Sequence, residues 1–277
     1  MRLDDDDRSN VEDRRGAFSG GGAKLGIGGV LVLAVLSVVF KQDFFAMLGG
    51  APGTGAPAAT PGEVSERKAA EAELERTAVA SFNDAQRTWA KTVRGYRPAK
   101  LVLFWDEVRS GCGAAEAEMG PFYCPADARV YVDLGFYREL ASRFGAPGRF
   151  AQAYVIAHEV GHHVQSQLGI SEKIRAAQQR NPSRRNALSV RMELQADCLA
   201  GAWGKAAGDR GLLDPGDVEQ GLAAAAAIGD DRLQRQATGR VNPESFTHGT
   251  SAQRVDWFRR GLESGSVRAC DTFAAER

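Results

Sequence analysis

The pentapeptide His158-Glu159-Val160-Gly161-His162 carries two imidazoles four positions apart, with a glutamate directly after the first. Residues i and i+4 of an α-helix lie one turn apart on the same face, so both side chains can reach a single metal ion. Glu159 is displaced around the helix, where its carboxylate can approach a water molecule without binding the metal. Zinc chemistry uses this arrangement of two nitrogen ligands, an open position for water and a carboxylate base.

The alternative to a metal site is a pair of ordinary surface or core histidines. Three of the four histidines in the chain, however, fall within six residues, at positions 158, 162 and 163. The preceding residues 150–157 are apolar and contain neither Pro nor Gly, as is typical of a buried helix. Gly161 costs a helix about 1 kcal/mol relative to Ala and is more readily kept where another element packs close to it. We expect His163, about 100° around the helix from His162, to be structural or to support a ligand.

Two histidines leave a catalytic zinc ion one protein ligand short. Glu193 and Asp197 lie four residues apart in a segment, 186–203, that is rich in helix formers. One carboxylate can bind zinc while the other accepts the second N–H of a ligand histidine. Taken alone, the pair is also typical of a solvated helix face. The spacing resembles the glutamate-zincin arrangement, and that resemblance implies Glu193 as the third ligand and Asp197 as the partner of a histidine.

The remaining histidine, His248, is the best candidate donor to the oxyanion that develops on a scissile carbonyl. Together with Arg254, six residues later, it resembles the late His/Arg element of the CAAX-prenyl-protease-like membrane zinc peptidases, where both residues lie at the active site. The alternative is a loop histidine followed by an amphipathic helix over 253–262. Tyr154 and Tyr131 are weaker candidates for the donor.

The first 62 residues of the sequence do not have the composition of a folded domain. Residues 1–24 are polar and Gly-rich and are expected to be a disordered leader. The uncharged apolar run 25–40 would span about 24 Å as a helix and predicts a transmembrane anchor. Residues 41–62, rich in Gly, Pro and Ala, predict a flexible linker, so that the catalytic domain is expected over 63–277.

Basic residues are concentrated before the apolar run, with only Lys41 between that run and Arg67. The positive-inside rule then predicts a single-pass protein of the bacterial inner membrane, with a cytoplasmic N-terminus and an extracytoplasmic domain. A cleaved signal peptide is the alternative, although no Ala-x-Ala site follows the run closely. Lys+Arg and Asp+Glu both total 35, so no basic field indicates a nucleic-acid partner.

Four cysteines in an oxidising compartment favour disulfides. The absence of Cys-x-x-Cys disfavours a thiolate zinc site. Of the three pairings we expect Cys112–Cys124, which closes a local loop, and Cys198–Cys270, which ties the C-terminal tail to the Glu193 helix. Free buried thiols are the alternative.

The domain itself predicts an α-rich α+β fold with a small sheet. Alternating apolar residues indicate strands over 100–105 and 129–134, and helical periodicity dominates the remainder. Zinc peptidases bind extended substrate at a sheet edge by strand addition. The 130–134 strand is a candidate for that edge, and a plain core strand is the alternative.

Several motifs together resemble the bacterial family described as "putative neutral zinc metallopeptidase". They are Gly120-Pro-Phe-Tyr-Cys-Pro-Ala-Asp127, Phe150 to Gln165, Glu193-Leu-Gln-Ala-Asp-Cys-Leu-Ala-Gly201 and Ser245-Phe-Thr-His-Gly249, with the leader Asn10-Val-Glu-Asp-Arg-Arg15 and the anchor. The resemblance implies a membrane-anchored zincin-like peptidase with one zinc ion per chain, acting on a peptide or protein substrate with Glu159 as the base. The rival interpretation is an anchored envelope scaffold or binding protein whose zinc site is structural or barely active. Neither interpretation fixes the oligomeric state.

Overall fold

The computed structural model describes residues 1–16, 60–117 and 120–274. The strands and helices of these residues follow in chain order: β1 (Val11–Asp13), α1 (Pro61–Ala70), α2 (Ala72–Thr92), β2 (Lys100–Phe104), β3 (Glu107–Ser110), β4 (Gly113–Glu116), β5 (Phe122–Cys124), β6 (Arg129–Asp133), α3 (Gly135–Ser142), α4 (Arg149–Gln167), α5 (Ile170–Arg180), α6 (Arg185–Asp209), α7 (Asp217–Ala227), α8 (Asp230–Thr238) and α9 (Ser251–Ser264). Short 3₁₀ turns lie at Pro182–Arg184, Pro243–Ser245 and Val267–Cys270. The described part of the chain is therefore α-rich α+β, as the sequence predicts.

A four-stranded sheet supports the helices, in the order β1-β2-β6-β5. Strands β1, β2 and β6 are parallel, and β5 runs antiparallel to β6. The two strands expected from alternation are β2 and β6, each found within one residue of its predicted end. The candidate substrate edge at 130–134 is wrong, because β6 lies between β2 and β5. The edge strand next to β6 is the short strand β5, and β1 is the edge strand at the other end of the sheet.

Strand β2 is buried on both faces, which explains why its sequence is almost continuously apolar. Leu101 and Leu103 face the main core, which is built with the helices. Val102 and Phe104 point the opposite way, into a smaller cluster covered by the β3–β4 hairpin. Successive side chains of a strand alternate between faces, so each face of β2 needs its own apolar residues.

Helices α4 and α6 cross in close contact at Gly161. A Cβ atom at this position would lie 3.1 Å from the main-chain oxygen of Ala196 and 3.3 Å from its Cα. A larger side chain would push the two backbones apart. Gly161 therefore sits within its helix because the neighbouring backbone occupies the space, and the same crossing brings Glu193, one turn before Ala196, towards the histidines of α4.

A second close crossing joins α6 to α9 through paired glycines. A Cβ atom at Gly201 would lie 2.1 Å from the main-chain oxygen of Phe258, and one at Gly261 would lie 1.9 Å from that of Cys198. No side chain fits at either position. This crossing sets α9 directly against α6, the helix that carries Glu193. The Cys198–Cys270 disulfide reinforces it beyond the end of α9. Both expected disulfides are confirmed, since Cys112 pairs with Cys124 as well.

The expectation of a disordered leader over 1–24 is wrong for the residues that the structure describes. Val11, Glu12 and Asp13 pair in parallel register with Leu101, Val102 and Leu103. Met1 and Leu3 are buried in the main core. Composition misled here because the polar side chains of the leader are matched by partners far along the chain, which local sequence does not reveal.

The boundary of the compact unit also differs from the expected 63–277. One compact unit comprises Met1–Arg15 together with Ala69–Arg277, and the other comprises Gly16–Lys68. The remainder of the leader, the expected anchor at 25–40 and the linker up to residue 59 lie outside the described residues. Within the residues described, every helix is too short or too polar to traverse a lipid bilayer.

Candidate metal centre

Three side chains converge where α4 meets α6. The ligand atoms of His158, His162 and Glu193 all lie within 4.8 Å of one another. The Nε2 atom of His158 lies 3.2 Å from one carboxylate oxygen of Glu193, and the Nε2 atom of His162 lies 3.4 Å from the other. Both imidazoles therefore turn the same nitrogen towards a single carboxylate, as the helical spacing predicts.

The orientation of His158 is fixed from behind by Asp197. The Nδ1–H group of His158 donates to the Asp197 carboxylate at 2.8 Å. A carboxylate only accepts hydrogen bonds, so the proton is held on Nδ1 and the lone pair of the neutral ring lies on Nε2, facing Glu193. Such a contact also raises the basicity of a metal-binding imidazole.

His162 is oriented in the same way by a residue that the sequence analysis missed. Its Nδ1–H donates to the side-chain oxygen of Gln165 at 2.8 Å. The amide nitrogen of Gln165 in turn donates to the main-chain oxygen of Met192 and to the side chain of Gln195. Because these bonds fix which end of the amide is the acceptor, His162 also presents its Nε2 lone pair. The i,i+3 spacing from His162 was the available signal for Gln165.

Asp197 is the centre of a buried network rather than a single hydrogen-bond acceptor. It is fully buried, and its carboxylate accepts two hydrogen bonds from the Arg254 guanidinium, at 2.8 and 2.9 Å. The hydroxyl of Tyr154 donates to the same carboxylate at 2.5 Å. Tyr154 is thus a support for Asp197 and not an oxyanion donor. Arg254 lies at the site, as expected, but its contact is with Asp197.

The imidazoles and carboxylates of the site shift one another's pKa values. Burial by itself lowers the pKa of His158, but the adjacent carboxylates of Asp197 and Glu193 outweigh it and raise the pKa to about 10. Burial raises the pKa of Glu193, and the two imidazoles reverse this and hold it well below its usual range. Without metal, protons on the imidazoles therefore neutralise the adjacent carboxylates. A bound cation would replace those protons.

Glu159 lies in the same buried place without joining the ligand set. Its side chain is 7% exposed, and burial raises the pKa of its carboxyl group. The main-chain N–H of Tyr123, on strand β5, lies near the carboxylate and offsets part of this rise in pKa. A carboxyl group whose pKa is raised towards neutrality beside a metal site is suited to act as a general base.

A cleft of about 930 Å³ opens onto these residues, and its lining includes His158, Glu159, His162, Glu193 and His248. Strand β5 borders it, with Phe122 and Tyr123 among the lining residues. The fold therefore sets a sheet edge, the paired histidines and the candidate base around one space.

His163 connects strand β5 to helix α4, the helix that carries His158 and His162. Its ring is fully buried, and its Nε2–H donates to the main-chain oxygen of Arg97 at 2.7 Å. Its Nδ1 atom then accepts from the Tyr123 hydroxyl at 3.0 Å. His163 is thus a structural residue that holds the wall of the cleft, in agreement with its predicted direction away from the ligands.

His248 enters the cleft from the loop before α9. Its side chain is 51% exposed, and its Nδ1 atom lies 3.2 Å from a carboxylate oxygen of Asp230. The other oxygen of Asp230 accepts the main-chain N–H groups of Thr247, His248 and Gly249, at 2.6 to 3.0 Å. Asp230 therefore shapes the loop and holds the ring. By contrast, the hydroxyl of Tyr131 donates to Asp127 at 2.6 Å, and Tyr131 does not line the cleft.

Comparison with known proteins bears on this arrangement. Residues 1–273 match the sequence model of the family described as "putative neutral zinc metallopeptidase". The chain belongs to this family. It is 46% identical over 278 residues to uncharacterized protein YpfJ of Escherichia coli K12, covering 95% of each chain. It is 44% identical over 208 residues to uncharacterized protein Rv2575 of Mycobacterium tuberculosis, covering 71% of this chain and 70% of the other. No solved structure matches.

Membership of this zinc metallopeptidase family implies zinc, and the residues present fit that ion. Two imidazole nitrogens and one carboxylate form a ligand set found in catalytic zinc sites. Both rings are held in the tautomer that binds metal through Nε2. All four cysteines of the chain are paired in disulfides, so thiolates do not compete for the ion. The chemistry of the donors therefore agrees with the family assignment.

Proposed function

We propose that this protein is a zinc-dependent peptidase in which His158, His162 and Glu193 hold the metal ion and Glu159 acts as general base. The observation that carries this proposal is the position of Glu159. It lines the same cleft as the three ligand candidates but lies outside their cluster. Zinc bound by two histidines and a carboxylate acidifies a water molecule and polarises a carbonyl group.

The residues of the chain divide the remaining work. Glu159 removes a proton from the attacking water and passes it to the nitrogen of the departing peptide. Asp197 keeps His158 in the required tautomer. His248, which donates its Nδ1–H to Asp230, can donate from Nε2 only as an imidazolium, and in that form it stabilises the negative charge that develops on the carbonyl oxygen.

An extended peptide is the substrate class that the cleft favours. Strand β5 is the terminal strand of its sheet and lines the cleft, so its free side can pair with an added strand. Aromatic side chains from β5 and α3, Phe122, Tyr123 and Phe136, provide apolar contact area beside it. We expect a polypeptide to lie along β5 with its scissile bond at Glu159.

The rival interpretation, an anchored scaffold with a structural zinc site, is less consistent with this arrangement. Structural zinc sites usually have four protein ligands and leave no position for water. In the described residues the cluster contains three candidate ligands and opens onto a large cleft. A buried carboxylate with a raised pKa beside the site has no purpose in a scaffold.

We also propose that the domain works outside the cytoplasm and that the apolar run 25–40 attaches it to the inner membrane. The two disulfides support the first part, because such bonds persist in oxidising compartments. The second part is supported only by the composition of residues 25–40, which lie outside the described part of the chain.

The test is digestion of an unbiased peptide library by the zinc-loaded full chain and by its Glu159→Gln variant. The full chain is needed because β1 belongs to the domain. Glu159→Gln should bind zinc normally and lose about 10²–10⁴-fold in peptide hydrolysis. Glu139→Gln, a change of the same kind elsewhere in the cleft lining, is the matched control and should retain activity. Equal activity of Glu159→Gln and wild type, or no cleavage by the zinc-loaded wild type, would refute the proposal.

A further inference from the structure

The basic residues of the described part of the leader, all of them arginines, are engaged within the folded unit. Arg15 is 3% exposed, and its guanidinium lies 2.9 Å from Asp13, 2.5 Å from Glu75 and 3.3 Å from Glu71. The other three described arginines of the leader also form ion pairs: Arg2 with Asp214, Arg8 with Glu75 and Arg14 with Glu12. These charges are therefore accounted for by docking of the leader, which removes the reason to assign them to membrane orientation.

The leader is held by its backbone and apolar side chains as well as by charge. Strand β1 forms the outer strand of the sheet beside β2. Beyond the strand, the main-chain N–H of Arg2 donates to the oxygen of Leu212 at 2.8 Å, and Met1 and Leu3 lie in the main core. Asn83, on α2, donates to the main-chain oxygen of Asp7 at 2.8 Å. Contacts of three kinds thus spread over most of the leader.

This docking conflicts with a single membrane crossing between residues 15 and 69. One compact unit contains both Met1–Arg15 and Ala69–Arg277. A chain that crossed a bilayer once between them would place β1 and β2 on opposite sides of it. Two crossings would need roughly 40 apolar residues, at about 20 for each helical span. The sequence offers one uncharged apolar run, 25–40.

We infer that residues 1–15 and 69–277 lie on the same side of the membrane, so that the chain does not make a single crossing between them. The positive-inside rule fails here because it counts charges near an apolar run and assumes that they are free. Three of the counted charges, Arg2, Arg8 and Arg15, are paired with carboxylates of the domain, and Arg14 is paired with Glu12 of β1. This inference does not depend on the proposed peptidase activity.

Thiol labelling tests the inference directly, because all four native cysteines are in disulfides and an introduced cysteine supplies the one free thiol. Ser9→Cys in the leader and Gln179→Cys at the end of α5 both replace exposed residues. Each variant of the full chain is expressed separately and treated with a membrane-impermeant maleimide, with the inner membrane intact and then disrupted by detergent. Detergent gives the maximum labelling of each site.

The expected result is that both sites label with the inner membrane intact, or that both require its disruption. Either pattern places leader and domain on one side and also identifies that side. Labelling of Gln179→Cys in intact membranes, with Ser9→Cys labelled only after disruption, would establish the single-pass topology and overturn the inference. The reverse pattern would overturn it equally.

Cross-linking provides a second measurement that reports docking itself. Asp5 and Arg87 form an ion pair, so Asp5→Cys combined with Arg87→Cys should be joined within one chain by a short bis-maleimide in native membranes. The single variants should give no intramolecular product. Asp5→Cys also removes hydrogen bonds from Asn83 and from the main-chain N–H of Asp7, so circular dichroism of the double variant is compared with that of wild type to establish that it folds. Absence of the product in native membranes together with its appearance after solubilisation would contradict the inference.

Discussion

Asp197 and Asp230 are both buried and each hold a histidine of the cleft, but the His158 side chain is 7% exposed whereas that of His248 is half exposed. Asp197, on the floor of the cleft with His158, is fully buried and has Arg254 and Tyr154 as further partners. Asp230 belongs to the rim, where its histidine, His248, is 51% exposed. Floor groups cannot move or exchange protons with solvent easily, whereas rim groups can. We infer that the floor, which consists of His158, His162, Glu193 and Asp197, binds the metal ion. The rim, which consists of Asp230 and His248, responds to substrate and pH.

The largest effect is expected from Asp197→Asn. The change leaves the buried Arg254 cation without its carboxylate, and removing one partner of a buried ion pair costs about 3–5 kcal/mol of unfolding free energy. Zinc affinity should also fall about 10–100-fold, because His158 loses its orienting partner. Denaturant unfolding and zinc competition titrations measure the two effects.

Asp209→Asn, on the exposed end of the same helix, is the matched control and should change neither quantity appreciably. Tyr154→Phe removes a single hydroxyl donor from Asp197 and should cost about 1 kcal/mol, which gives a milder variant if Asp197→Asn does not fold. Zinc affinity unchanged in a folded Asp197→Asn protein would remove the distinction between floor and rim.

His248→Ala should separate catalysis from metal binding. Loss of one oxyanion donor costs about 10²–10³-fold in kcat, and a rim residue should leave zinc content unchanged. Steady-state hydrolysis and metal analysis on the same preparation provide the measurement. Thr247→Ala, which removes a hydroxyl 3.0 Å from the ring, is the control and should retain most activity. Loss of zinc from the His248→Ala protein would show that His248 supports the metal ion, and would contradict its assignment to the rim.

The smallest effect concerns pH. Asp230 is the main cause that raises the pKa of His248 above its ordinary value of 6.5. Because His248 donates from Nε2 only when protonated, activity should be present below that raised pKa and be lost as pH rises through it. Asp230→Asn removes the raising charge, so its alkaline limb should move to lower pH. Asp231→Asn, whose partner is Ser251, should leave the limb in place. An alkaline limb at the same pH in Asp230→Asn would exclude His248 as its source.

The floor could be predicted from sequence and the rim largely could not, for a geometric reason. On α4 and α6 the ligand candidates sit at helical spacings, so the local periodicity of His158, His162, Glu193 and Asp197 already fixes which side chains share a face. Asp230 and His248 belong to different elements, and only the folded loop brings them together. Gln165 lay within reach of the same periodicity and was overlooked.

The same distinction explains the errors in the fold. Strands β2 and β6 were predictable because alternation is local. Strand β1 was not, since three residues with a polar composition acquire strand structure only by pairing with β2, about 90 residues later. The edge position of β5 likewise depends on pairing order, which short sequence patterns do not encode.

Zinc K-edge X-ray absorption on the zinc-loaded full chain tests the central claim most directly, because it reads the ligands of the ion without reference to activity. Coordination by His158, His162 and Glu193 predicts two imidazole ligands with nitrogens at about 2.0–2.1 Å, accompanied by oxygen neighbours and no sulfur. The His162→Ala protein should lose one imidazole contribution or the ion altogether. A spectrum with sulfur at about 2.3 Å, or one unchanged in His162→Ala, would contradict the account.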